Sequence, residues 1–188
     1  KAGEFRDTDT GNHVLRMAKY ARLIAEKLDL SLERCKLIEL AAPMHDIGKI
    51  GIPDQILLKP ARLNPDEMTV MRTHPQIGYQ ILQGSPSKYL HLGAEIALAH
   101  HEKYDGSGYP NGTKGENIPV EARIVAVADV FDALTSIRPY KKKWTNEAAL
   151  EYLTTNSGSH FDPTCVQAFM AQLDQVAIIQ HQLQDSAA

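Results

Sequence analysis

Residues 120–134 read VEARIVAVADVFDAL. Val120, Ile124, Val127, Phe131 and Leu134 recur at three- and four-residue intervals, which lines them along one face of an α-helix. A half-buried strand would need strict alternation, and the β-branched residues here fit the helical period better. Asp129 interrupts the otherwise apolar stretch from Ile124 to Val130. An unpaired carboxylate on a core-facing helix is costly, so Asp129 is expected beside something positive. A metal ion is the economical partner.

The helical period continues on both sides of this segment. From Asn12 onward Val14, Met17, Ala21, Ile24 and Leu28 form a stripe, and Ser31 is placed to cap a second helix. That helix carries Cys35, Ile38 and Ala42 on one face and runs to His45, with a kink expected at Pro43, which removes a backbone donor. Asn64, Pro65, Asp66 and Glu67 read as an N-cap, a proline at N1 and an acidic first turn, so a third helix runs toward His74. Pro75 restarts the chain, and Ile77 and Ile81 carry the pattern to Gly84. After Pro86, the residues Leu90, Ala94, Ala97 and His101 share a face. Between Tyr104 and Pro119 stand Gly106, Gly108, Pro110, the Asn111-Gly112 pair and Gly115, which is turn chemistry throughout. Thr145 caps another helix and Pro163 opens the last. Strand signals are weak everywhere, so the expected fold is all-α, with about six to eight helices.

The chain has 188 residues, 43% of them hydrophobic, which is enough for one buried core without a second domain. Twenty Lys and Arg against 23 Asp and Glu leave a formal charge of -3, which argues against coating a DNA or RNA polymer. A compact anionic substrate stays open. Cys35 and Cys165 lack disulfide or zinc-type spacing, and a reducing, cytoplasmic setting is the simplest reading. No apolar run approaches the roughly 18 residues of a membrane span, and the start lacks a signal-peptide pattern. The opening at Lys1 without Met suggests a piece of a longer protein, with residues 1–8 as a linker, 9–188 as the domain, and a sensor or receiver domain upstream.

His13, His45, His74, His100 and His101 each fall at a helix end or on a face shared with small or apolar residues. Carboxylates accompany them: Asp9 four residues before His13, Asp46 directly after His45, and Asp129. Imidazoles and carboxylates without thiolates suit iron, manganese, nickel or zinc rather than calcium or magnesium. Asp46 could bridge two ions roughly 3.5–4 Å apart, with a hydroxide between them as nucleophile toward a phosphodiester. Lys49 could then stabilise phosphate charge or protonate the leaving oxygen. Each residue also has a plainer reading. A single histidine on a helix is ordinarily a hydrogen-bonded structural group, and Asp9 with His13 could be surface neighbours at i and i+4. His91, His160 and His181 are read as structural or solvated, and Asp132 as structural. The metal reading rests on the whole set and its spacing.

The stretches DTGNH at 9–13, HDIGKIGIPD at 45–54, HPQIG at 74–78, HHEKYDGSGYP at 100–110, ADVFDALTSIRPYK at 128–141 and FDP at 161–163 closely resemble the HD-GYP family. The resemblance implies an HD-superfamily helical bundle with a Gly-rich GYP loop that opens cyclic di-GMP to linear pGpG, and in some members proceeds to GMP. It implies His13, His45, Asp46, His74, His100, His101 and Asp129 as metal ligands, with Asp46 bridging and Lys49 at the scissile phosphate. Gly108, Tyr109 and Pro110 match the GYP signature. Arg138 and Lys141 match a basic pair that contacts guanine or phosphate, a role suited to the planar fork of arginine. Some members carry Glu where this chain has the shorter Asp9, a position associated with a third metal. Two divalent ions are therefore expected, iron or manganese first and nickel or zinc next, with Asp9 a candidate ligand to a third.

The GYP loop is open to three readings: backbone conformation and packing alone, contact with substrate by Gly108 and Tyr109, or docking of a diguanylate cyclase domain. Lys142 and Lys143 fit a solvated helix start. For function, the alternatives to a cyclic di-GMP phosphodiesterase are a phosphodiesterase for mixed cyclic GMP-AMP, an HD-type phosphohydrolase of another nucleotide, and a catalytically quiet cyclic-dinucleotide sensing module.

Overall fold

Pairing of the first long helix with the central one sets the architecture. The computed structural model describes residues 11–136 and 143–184, so Asp9, Arg138, Lys141 and Lys142 lie outside the described residues. Helix α1 (Gly11–Lys27) buries Met17, Tyr20, Ala21 and Ile24 on one face, and α7 (Val120–Thr135) buries Ile124, Val127, Phe131 and Leu134. The two faces meet with Tyr20 edge-on to Phe131 at 5.7 Å between ring centroids, and Phe169 of α9 (Pro163–Met170) closes the cluster 4.7 Å from Phe131. Each fully buried Ile or Phe contributes about 1.5–3 kcal/mol, so this junction is a firm base for whatever side chains the two helices present at its edge. Those side chains are His13 in the first turn of α1 and Asp129 in α7.

Helix α2 (Leu32–Ala41) packs on α1 and begins where the Ser31 side chain accepts from the Arg34 N–H. It ends at Ala41. Pro43 does more than kink it: residues Ala42–Met44 form a 3-10 turn, and a second 3-10 segment, Ile47–Gly51, follows His45 and Asp46. The expectation that the second α-helix runs to His45 is corrected accordingly. The tighter turn suits proline, whose missing N–H removes an α-helical hydrogen bond.

After the single turn α3 (Asp54–Leu57), α4 (Pro65–Met71) starts with a full capping box between Asn64 and Glu67. Helix α5 (His74–Leu82) then carries Pro75 in its first turn and packs against α6 (Lys88–Ala99) and the Ile47–Gly51 segment. A Cβ on Gly48 would lie 1.9 Å from the carbonyl oxygen of His74 and 2.4 Å from the Gly78 nitrogen, so only glycine lets these backbones nest. Helix α8 (Asn146–Thr155) is capped by Thr145 and α9 by Asp162. Pro163 does not open the last helix: the chain breaks at Ala171 and Gln172, with no glycine or proline to announce it, and resumes as α10 (Leu173–Gln182). That break and the one-turn α3 take the described α-helical segments to ten, above the expected range. The only β pairing among the described residues is an isolated bridge between Ser157 and Phe161, so the all-α class holds. No described helix is long and apolar enough to cross a membrane.

Candidate metal centre

Four imidazoles converge with one ring nitrogen already committed. In His45, His74 and His100, Nδ1 lies 2.9, 2.8 and 3.0 Å from the carbonyl oxygens of Ala42, Met71 and Ala97, in each case three residues upstream. A carbonyl can only accept, so in the neutral ring Nδ1 carries the proton and Nε2 presents a lone pair. In His13 the partner is instead a carboxylate, Asp132 Oδ2, at 2.8 Å. All four rings are buried.

These lone pairs face carboxylates and one another. Asp46 Oδ1 lies 3.2 Å from His74 Nε2 and 3.5 Å from His100 Nε2, and its Oδ2 lies 3.2 Å from His45 Nε2 and 2.8 Å from Lys49 Nζ. Asp129 Oδ1 lies 3.5 Å from His13 Nε2 and 3.8 Å from His45 Nε2. The Nε2 atoms of His74 and His100 are 3.5 Å apart. Among the described residues, buried His45 Nε2 and Asp46 Oδ1 have no hydrogen-bond partner of good geometry. Acceptors crowded against acceptors repel unless a cation stands among them, so the donors fit bound divalent ions. Their ligand atoms fall into two sets, each within 4.8 Å: Asp46, His74, His100 and His101 in one, His13, His45 and Asp129 in the other.

Electrostatics follow the same division. Burial would pull His45 down, but the charges of Asp46 and Asp129 outweigh it and hold this imidazole up at about 9. Burial would raise Asp46, yet Lys49 and His45 keep it well below the carboxylate range. Burial pushes His100 and His101 down, aided by neighbouring imidazoles. His100 and His101 are thus neutral beside an ionised Asp46, as ligation requires, whereas His45 holds at Nε2 a proton that a bound cation would displace.

The GYP loop covers one side. Tyr109 stacks on His101 with centroids 4.7 Å apart, and the Arg72 guanidinium lies 5.1 Å from the centroid of the Tyr109 ring. Burial raises the Tyr109 hydroxyl to about 12 and keeps it protonated. The buried Glu102 carboxylate pins the loop, accepting from the N–H groups of Asn111 at 2.7 Å and Thr113 at 3.0 Å. Gly106 does adopt a positive φ of 85°, as turn chemistry predicts, whereas Gly108 serves close approach: a Cβ there would sit 2.3 Å from the Lys103 nitrogen.

The structure thus brings together His13, His45, Asp46, Lys49, His74, His100, His101, Asp129 and Tyr109. Asp129 differs from expectation in one respect, because its side chain is 22% exposed at the rim of the centre rather than sunk in the core. Arg16, Gly48, Arg72 and Glu102 complete the surroundings without having been singled out by spacing. Arg16 carried a readable signal, a charge on the apolar face of α1 beside Met17 and Tyr20.

The HD domain model matches residues 6–165. This chain belongs to the HD domain family. The HD domain is 58% identical over 179 residues to the cyclic di-GMP phosphodiesterase response regulator RpfG of Xanthomonas campestris pv. campestris, covering 94% of this chain and 47% of that one. It is 50% identical over 167 residues to a cyclic di-GMP phosphodiesterase of Thermotoga maritima, covering 89% and 45%. A crystal structure of a cyclic GMP-AMP specific phosphodiesterase of Vibrio cholerae matches with a TM-score of 0.67 at 21% identity, over 93% of this chain and 46% of that one, which shows the HD-domain fold. The chain spans about half the length of the curated relatives it matches.

Proposed function

We propose that this HD domain hydrolyses cyclic di-GMP to linear pGpG, using two divalent ions, iron or manganese. The observation that carries this reading is the position of Asp46, whose two oxygens point to different donor sets. His13, His45 and Asp129 would hold one ion and His74, His100 and His101 the other, with Asp46 shared. When bound, such ions supply Lewis acidity toward a phosphoryl oxygen and lower the pKa of an attacking water.

The protein's own groups have separable tasks. Main-chain carbonyls orient three imidazoles. Lys49, next to Asp46, offers a positive charge to the scissile phosphate and a proton to the departing oxygen. Tyr109 walls the His101 side and excludes water there. Arg138 and Lys141 are assigned to the guanine or phosphate on the donor chemistry of their side chains, and Asp9 is a candidate for a third ion. The names of the curated relatives support a cyclic-dinucleotide substrate.

The test is anaerobic incubation of the purified chain with ferrous or manganous ion and cyclic di-GMP, with a His45→Ala/Asp46→Ala double variant as control. Linear pGpG from intact protein alone is the expected result. Hydrolysis retained by the double variant would sink the site assignment. Cleavage of cyclic GMP-AMP only would change the substrate, and tight dinucleotide binding without turnover would make the domain a sensor. Arg138→Ala should raise KM with metal content unchanged.

A further inference from the structure

His13 differs from the other three imidazoles in what fixes it. Where Ala42, Met71 and Ala97 offer a main-chain carbonyl to the other three rings, His13 Nδ1 meets a side chain. The substitute comes from α7, where Asp132 Oδ2 accepts from His13 Nδ1 at 2.8 Å. Asp132 is fully buried, and Arg16, 4% exposed, grips it twice: Nε to Oδ1 at 2.7 Å and Nη2 to Oδ2 at 2.9 Å. Ser136 accepts from Arg16 Nη2 and donates to Asp132 Oδ2, both at 2.6 Å. Arg16 Nη1 donates to the carbonyl of Leu183, just past α10, at 2.6 Å.

Stability does not account for such an arrangement. A buried ion pair is weak evidence of stabilisation, because apolar side chains of similar volume commonly serve as well. What an apolar pair cannot do is accept a hydrogen bond from His13 Nδ1–H while staying fixed. We propose that Asp132 is a positioning residue: it holds His13 in the single tautomer and orientation that presents Nε2 to Asp129 and the centre, and Arg16 balances its buried charge. The inference rests on the reading of His13 as a ligand, and it makes the C-terminal end of α10 part of the support of that ligand.

The test separates positioning from folding. Because breaking one partner of a buried pair can unfold the chain, two double variants are compared with the intact protein. Arg16→Met/Asp132→Asn keeps an acceptor for the imidazole, and Arg16→Met/Asp132→Leu removes it. Nitrogen-15 NMR of His13 in protein stripped by chelation reads the tautomer, and calorimetric titration with manganous ion reads affinity. The expected result is the Nδ1–H tautomer in the intact protein and the Asn variant but not the Leu variant. One of two manganese sites should also weaken roughly ten- to a hundredfold in the Leu variant alone, as when a carboxylate behind a metal-bound histidine is lost. A Leu variant with unchanged tautomer and unchanged affinities overturns the proposal and leaves Arg16 and Asp132 a structural pair. Expected tautomers in an intact protein that takes up no manganese would instead overturn the two-ion reading while the positioning role stands.

Discussion

The two donor sets contain similar chemistry but are secured by different means. His74, His100 and His101 stand at the start of α5 and just past α6, two helices that pack on each other, and Nδ1 of His74 and of His100 is held by main-chain carbonyls. His13, His45 and Asp129 come from three elements spread over more than a hundred residues, and although His45 is likewise held by a main-chain carbonyl, His13 depends on side chains of α1 and α7. A main-chain acceptor cannot be mutated away, whereas a side-chain acceptor can. The first set should therefore yield only to changes that move backbone. The second should also yield to substitutions that never touch an ion.

The largest effect is expected where the sets join. Asp46→Ala should weaken uptake of both ions and lower hydrolysis by at least on the order of 10²–10³. Metal content per chain and initial rates check this, and one ion kept at intact affinity would break the view that Asp46 serves both sets. Gly48→Ala comes next, because its Cβ would meet the His74 and Gly78 backbones with no flexible atom to give way. A loss of about 3 kcal/mol or more is expected, or roughly 6–12 °C in Tm at this chain length. An unchanged calorimetric Tm would mean that the Ile47–Gly51 segment is not seated on α5. Glu102→Ala should free the N–H groups of Asn111 and Thr113, loosen Tyr109 from His101, and reduce kcat/KM on the order of tenfold with metal content retained. Equal rates would show that the loop is not needed over that set.

The smallest effect is in pH. His160 lies beneath the same loop, its carbonyl accepting from Tyr104 N–H, and burial lowers its imidazole from 6.5 to about 4. A histidine depressed on folding binds fewer protons in the native state, so its contribution is whole above 6.5 and is lost as pH falls toward 4. Because the ring is partly exposed, solvent screening reduces the loss to about 1 kcal/mol between pH 6.5 and 5. Thermal melts should show His160→Phe losing less Tm than the intact protein over that interval.

Much of the fold was legible because it is local. The stripes of α1 and α7, the caps at Ser31, Asn64 and Thr145, and the turn-rich 104–119 segment all follow from neighbours in sequence. The donors were legible for another reason: histidines and carboxylates on otherwise apolar faces are expensive and therefore conspicuous. What stayed hidden depends on long-range approach. Arg16 meets Asp132 across 116 positions, and nothing near Asp132 tells which helix it will face. Gly48 reads as an ordinary turn glycine until α5 lies against it. The break at Ala171 and Gln172 uses residues that would equally continue a helix.

The tethering of three imidazoles to their own turns also bears on how ion capture relates to folding. The rings of His45, His74 and His100 lose their rotational freedom when the helices form, before any ion arrives, and the apolar cluster around Tyr20, Phe131 and Phe169 owes nothing to them. Domains whose core is the metal itself collapse when a chelator removes it. Here the ordering entropy is already spent on the helical framework, so loading and emptying should be reversible events on a standing fold.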